Sequence, residues 1–187
     1  MVSRRIARVY NFAGGVWYVG FRSVWNFIVA DAEMVFTKGL RSVSHSKSRL
    51  LDLGCGTGAN YSRLVDNGIP FATYTGVDVS TALLARARAS YPSATFILGD
   101  VGEVSDAYNL VLSTWCFEHL SPAVRRKVLL RPGHHVHLYL SKHSYWFLFV
   151  LFAWFFRFQF VDDADLPGTK TCLGVITLLE HHVGKHL

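Results

Sequence analysis

An α/β fold, with a mostly parallel sheet covered by helices on both faces, follows from three observations. Short apolar runs alternate with helix-patterned segments from residue 50 to residue 140. The first run opens onto a glycine-rich turn, LLDLGCGTGAN, and the next two, TYTGVDVS and ATFILGDV, close on an acid. Parallel neighbours need a crossover, and a crossover helix covers one face of the sheet, so this alternation implies a parallel arrangement.

The elements follow in order. Leu50–Leu53 reads as a buried strand and Gly54–Gly58 as the turn behind it. A helix is expected from Ala59 towards Asn67, stopped by Gly68 and Pro70. TYTGVDVS is the second strand, TALLARARASYP a helix ending near Pro92, and ATFILGDV the third strand. YNLVLSTW is the fourth, and HHVHLYLS, after Arg131-Pro132-Gly133, the fifth. TCLGVITLLE is a last strand or helix. Only about thirty residues follow the apolar run over 145–156, so the far edge of the sheet is expected to be trimmed.

The chain has 187 residues, enough for one domain with its own core. Mean hydropathy is +0.25, greasier than a typical soluble domain. Three cysteines without a paired spacing offer neither a disulfide framework nor a zinc site. The formal charge of +6 is uneven: residues 1–49 hold eight Lys/Arg against Asp31 and Glu33, whereas residues 50–187 are balanced. The division expected is a basic, aromatic, helical segment over 1–49 and the main domain over 50–187. Residues 1–30 read as an amphipathic, interface-seeking segment or part of a transit peptide, and Asp31–Leu40 as a further short helix. RSVSHSKSR, residues 41–49, reads as the connection into the domain.

Gly54, Gly56 and Gly58 let a ligand approach the backbone with no Cβ in the way. Asp78 lies 20 residues beyond Gly58 at a strand end, where a carboxylate can take both hydroxyls of a ribose. A nicotinamide dinucleotide and an adenosyl ligand are served alike to this point. The turn is GxGxG, not the GxGxxG that brings a helix onto pyrophosphate. Asp52 sits just before it and favours a cationic ligand. Asp100, in LGDV, is placed to hold an adenine amine, and no Tyr-x-x-x-Lys proton-transfer pair occurs.

With LLDLGCGTGANYSRL, YTGVDVSTALLARARASYP, FILGDVGEV, YNLVLSTWCFEHLSP and LLRPGHHVHLYL in order, residues 50–140 resemble the class I S-adenosylmethionine-dependent methyltransferases. The ubiquinone/menaquinone-type small-molecule enzymes are the nearest subgroup. The resemblance implies a Rossmann-like sheet and S-adenosylmethionine as cofactor. It implies that Gly54, Gly56 and Gly58, with Cys55, pack against the methionine portion. Asp52 would support the amino-acid end, directly or through water, Asp78 with Val79 the ribose, and Asp100 with Val101 the adenine. Thr114 and Trp115 would border the methyl group, with Trp115 on the acceptor side.

Methyl transfer from a sulfonium is an in-line displacement, in which orientation is the main contribution. Glu118 and His119, in FEHL, are the candidate bases for an acceptor that must lose a proton. STWC replaces the motif of amino-group methylases acting on nucleic-acid bases, so nucleic acid is not expected as a partner. Two departures bear on turnover. Only ten residues, Ser121–Leu130, separate EHL from RPG, and His134 stands where glycine is usual. His135 and His137 share one strand face and His134 takes the other, with no acid or cysteine at ligand spacing, so no metal is expected.

YWFLFVLFAWFF, residues 145–156 within an apolar segment over 142–161, is shorter than the about 20 residues of a membrane span. It reads as a core helix, an interfacial or substrate-gathering one, or, if extended to Val161, a span. The function expected is methyl transfer to a small, hydrophobic acceptor, with contact to a membrane surface. The rival is a methyltransferase-like module that binds or assembles without turnover; a nicotinamide dehydrogenase ranks third. The expected location is cytoplasmic and peripheral to a membrane, with mitochondria as the alternative. Oligomeric state is not legible.

Overall fold

The computed structural model describes residues 17–104, 108–140, 161–162, 166–173 and 176–184, with side chains from residue 30 onward. The paired arginines at 4 and 5 and the apolar run over 145–156 lie outside the described residues. A long helix, α1 (Trp17–Val43), leads into β1 (Arg49–Leu53). Then come α2 (Ala59–Asp66), β2 (Thr73–Asp78), α3 (Thr81–Ser90), β3 (Thr95–Leu98) and β4 (Leu110–Thr114). A 3₁₀ turn (Phe117–His119), α4 (Pro122–Leu129), β5 (Gly133–Leu140), β6 (Thr169–Leu173) and β7 (Ile176–Val183) complete the order.

The seven strands lie in the order β3-β2-β1-β4-β5-β7-β6. β1 to β5 are parallel, and β7 runs antiparallel to both β5 and β6. Two expectations are corrected here. The far edge is not trimmed: the segment read as one last element folds into β6 and β7, and β7 pairs with β5 along its full length, from Gly133↔Val183 to Leu140↔Ile176. The short helix over 31–40 is part of α1, which runs on to Val43 into the segment read as a connection.

Strand period two sorts the core. Leu50 packs on one face with Leu64, Leu84, Leu110, Leu112 and Leu138. Leu51 and Leu53 pack on the other with Val111, Phe117, Val128, Tyr139 and Leu179. Ala32, Phe36 and Leu40 of α1, spaced four apart on one helix face, join the first cluster. The lower end of α1 is tied down by Arg41 Nη2 donating to the Asn67 carbonyl (2.8 Å) and Ser44 Oγ donating to that of Pro70 (2.6 Å).

The eight-residue α4 is short but regular. Ser121 caps it by accepting from the Val124 N–H (3.4 Å), and Pro122 opens it. His134 enters β5 opposite Leu110 without breaking the ladder. Among the described residues no helix is long and apolar enough to cross a membrane.

Because Phe36 is fully buried against the sheet, Phe36→Ala is expected to cost about 3–5 kcal/mol in urea unfolding. A loss under about 1 kcal/mol would mean that α1 is appended to the domain and not part of its core.

Candidate active site

The crevice lies where strand order reverses, between β1 and β4, at their carboxyl ends. Gly54 and Gly56 take left-handed backbone, with φ of 67° and 54°, which glycine adopts at little cost. The N–H groups of Gly54 and Cys55 both donate to the Val77 carbonyl, at 2.8 and 3.1 Å, which fastens the turn to the end of β2. A Cβ at Gly54 would lie 2.8 Å from Cys116 Sγ, so the turn and the exit of β4 touch. At Gly56 the nearest atom to such a Cβ is Leu83 Cδ1 at 3.9 Å, so the backbone there faces open space.

Asp78 meets the turn from β2. Its Oδ2 accepts from the Gly56 N–H (2.9 Å) and its Oδ1 from that of Ser80 (2.8 Å). Burial raises the pKa of this carboxyl, and the N–H groups of Ser80, Gly56 and Val79 oppose that shift. A carboxylate has about four lone-pair sites, so acceptor capacity remains for a ligand hydroxyl. Ser80 also caps α3 by accepting from the Leu83 N–H (3.3 Å).

Asp52 is fully buried, and both oxygens are engaged: Oδ1 by Asn60 Nδ2 (2.9 Å) and Oδ2 by the Tyr74 hydroxyl (2.6 Å). Asp52 thus lies behind the glycine turn, braced by Asn60 and Tyr74. Burial pushes its pKa up to about 7 against the pull of Tyr74, Asn60 and Arg63. Asn60 Oδ1 accepts from Arg63 Nη1 and, at 3.4 Å, from Thr114 Oγ1. Arg63 in turn pairs with Glu33 of α1 (3.1 Å). Asn60, Arg63 and Tyr74 were not legible as site residues, because only the fold brings them to Asp52.

Thr114 and Trp115 are half-buried at the end of β4. Trp115 has φ 57°, the one non-glycine positive φ among the described residues, a conformation worth on the order of 1–3 kcal/mol of strain. Asp100 Oδ1 accepts from the Gly102 N–H (2.9 Å) and turns the loop after β3. Val101 is buried in the second core cluster, so its side chain supports that loop from beneath; Val79 is half-buried. The Cys55 thiol packs towards Gly76 and is pushed up by burial and by Asp52 and Asp78, so it stays protonated and presents its backbone to the turn. Cys116, buried beside Gly54, feels Glu118, Asp78, Asp52 and Asp100 together. Three aspartates, Asp52, Asp78 and Asp100, thus converge on one strand-end crevice, a field that suits a cationic ligand.

Glu118 and His119, the candidate bases, are poorly poised at neutral pH. Glu118 is fully buried, neither oxygen has a partner among the described residues, and burial lifts its pKa to about 8 despite Arg125. It is mostly protonated at pH 7. Burial lowers His119 to about 4, leaving it neutral but a weak base. Among the described residues no group of three or more His, Cys, Asp or Glu side chains could hold a metal ion.

The family model described as a methyltransferase domain matches residues 50–134, from the first strand through the start of β5. Over these residues the chain is similar to the class I S-adenosylmethionine-dependent methyltransferases. Their cofactor, S-adenosylmethionine, fits the site: its sulfonium and ammonium would meet converging aspartates, its ribose diol would meet a carboxylate, and the backbone at Gly56 is open. The trans-aconitate 2-methyltransferase of Deinococcus radiodurans is 37% identical over 91 residues, covering 46% of this chain and 35% of that methyltransferase. The demethylmenaquinone methyltransferase of Beutenbergia cavernae is 28% identical over 122 residues, covering 64% and 46%. The matched part is less than half the length of either relative. The magnesium protoporphyrin IX methyltransferase of Synechocystis, solved with bound S-adenosylmethionine, superposes with a TM-score of 0.60 at 14% identity. It covers 94% of this chain and 95% of its own, which shows a shared fold.

The Glu118 shift carries a sign. Its unfolded pKa is 4.5 and its folded value about 8, so between them the native state holds the extra proton and stability falls as pH rises. Glu118→Gln removes that dependence. Its stability advantage is expected to be small at pH 5.5 and to widen at pH 8.5 by on the order of a few kcal/mol. Urea unfolding of both proteins at the two pH values measures it; a gap that does not change with pH would contradict the assignment.

Proposed function

We propose that this methyltransferase transfers the methyl group of S-adenosylmethionine to a small, hydrophobic acceptor. The observation that carries the reading is the Gly54–Gly56 turn, pinned to Asp78 at the switch point of the sheet and surrounded by acids. S-adenosylmethionine supplies an electrophilic methyl group on a good leaving group. The chain does the rest by placement. Gly54, Cys55 and Gly56 form the bed for the methionine portion, held from beneath by Asp52 through Asn60. Asp78, with Val79 beside it, takes the ribose, and the Asp100–Val101 loop flanks the adenine. Thr114 and the strained Trp115 form the wall beside the transferred methyl.

With Glu118 mostly protonated and His119 a weak base, the acceptor atom is best supplied already deprotonated or intrinsically neutral and nucleophilic. An acidic phenol or enol, a carboxylate and an unprotonated amine meet that condition. A hydrophobic acceptor is supported by the aromatic and apolar composition of residues 1–30 and 145–156. The demethylmenaquinone methyltransferase relative points the same way. Peripheral contact with a membrane surface belongs to the same reading, as does a cytoplasmic or mitochondrial setting.

Calorimetric titration with S-adenosylmethionine and S-adenosylhomocysteine tests the cofactor site, with NAD as a control. Both adenosyl ligands are expected to bind and NAD is not. Asp78→Ala removes two charge-assisted acceptors and is expected to weaken binding by about a hundredfold or more. No binding by the unaltered chain would overturn the reading.

A further inference from the structure

A buried hydrogen-bond chain runs across the sheet beneath the crevice, and nothing in the proposed reaction has yet used it. It begins at Arg131, just before β5. The residue is only 6% exposed, and its Nη2 donates to the Val101 carbonyl (3.1 Å) in the loop after β3. Taking a guanidinium out of water is costly unless its donors are used, and this donor is spent on the segment that flanks the adenine position.

The chain continues through the backbone of the same residue. The Arg131 carbonyl lies 2.7 Å from His135 Nε2. A carbonyl only accepts, so His135 carries its proton on Nε2 and its Nδ1 is bare. That Nδ1 lies 3.4 Å from His137 Nε2, the longest link, so His137 must donate from Nε2. Its own Nδ1 is then an acceptor, and the Ser113 hydroxyl, 2.8 Å away, donates to it. One acceptor at the start dictates every proton that follows. Phe117 stacks on the His137 ring with centroids 4.3 Å apart, which fixes its plane. Ser113 directly precedes Thr114 and Trp115, so the chain joins the adenine side of the crevice to its acceptor side.

We infer that Arg131 is a positioning residue for the adenine end of the cofactor, and that His135, His137 and Ser113 extend its placement to the end of β4. The inference rests on the methyltransferase reading above. Arg131→Met removes the bond to Val101 but keeps the backbone carbonyl that His135 uses. Arg131→Lys keeps a cationic donor.

Two measurements test it. In calorimetric titration with S-adenosylhomocysteine, Arg131→Met is expected to bind about tenfold or more weakly, with Arg131→Lys recovering part of the loss. A residue that merely stabilised the fold would lower the melting temperature without changing affinity well below it. Nitrogen-15 spectra of the histidine-labelled chain are expected to place the proton on Nε2 in both His135 and His137. Unchanged affinity in Arg131→Met, or an Nδ1–H tautomer at either histidine, overturns the inference alone. An unaltered chain that binds no adenosyl ligand overturns the parent reading, and with it this one.

Discussion

The contact between Gly54 and Cys116 is the constraint on which the rest depends. A Cβ at Gly54 would stand 2.8 Å from the Cys116 sulfur, so the exits of β1 and β4 can lie this close only because that position has no side chain. The same turn is fastened sideways to β2 through the Val77 carbonyl. Three parallel strands therefore end at one place, and the crevice is the gap their ends leave. Asp78, Asp100, Thr114 and Trp115 arrive there because each ends its strand or follows the last residue by a step or two.

Charge burial shapes the site as much as strand order does. Asp52 is wholly desolvated and is tolerated because Tyr74 and Asn60 occupy its oxygens. Asn60 is held by Arg63, and Arg63 by Glu33 on α1. The basic N-terminal segment, which the sequence separates from the domain by composition, thus reaches to within three side chains of the glycine turn. Its described half packs in the core through Phe36 and Leu40. On the opposite face, burial keeps His135 and His137 neutral and Glu118 protonated at pH 7. The crevice is acidic where a cation would lie and uncharged where the sheet closes behind it.

The two departures from the family pattern look different in three dimensions. The shortened segment before Arg131 still makes a capped two-turn helix, since a helix that only bridges two adjacent strands needs little length. His134 fits because its position lies in the ladder opposite Leu110. Its ring packs on that of His182, its partner across the pair, at 4.3 Å. The complete edge has a related cause: residue count alone does not reveal that a hairpin folds back and inserts its second strand beside β5.

By itself the sequence determined what local chemistry can specify. The GxGxG turn, the acid 20 residues on, the alternation of strands with helices and the order of the motifs are properties of neighbouring residues, and they located the crevice and the ligand class. Long-range contact was left to the tertiary structure. Only the fold placed Asp52 behind the site, since Tyr74 comes from another strand. Only the fold took Glu118 out of water and half-buried His119, which changes their protonation and therefore their use. It also joined Val101, Arg131, His135, His137 and Ser113 into one chain, because hydrogen bonds across a sheet depend on register and not on distance along the backbone. Burial and register are decided when all the strands are present together, and no single stretch of residues encodes them.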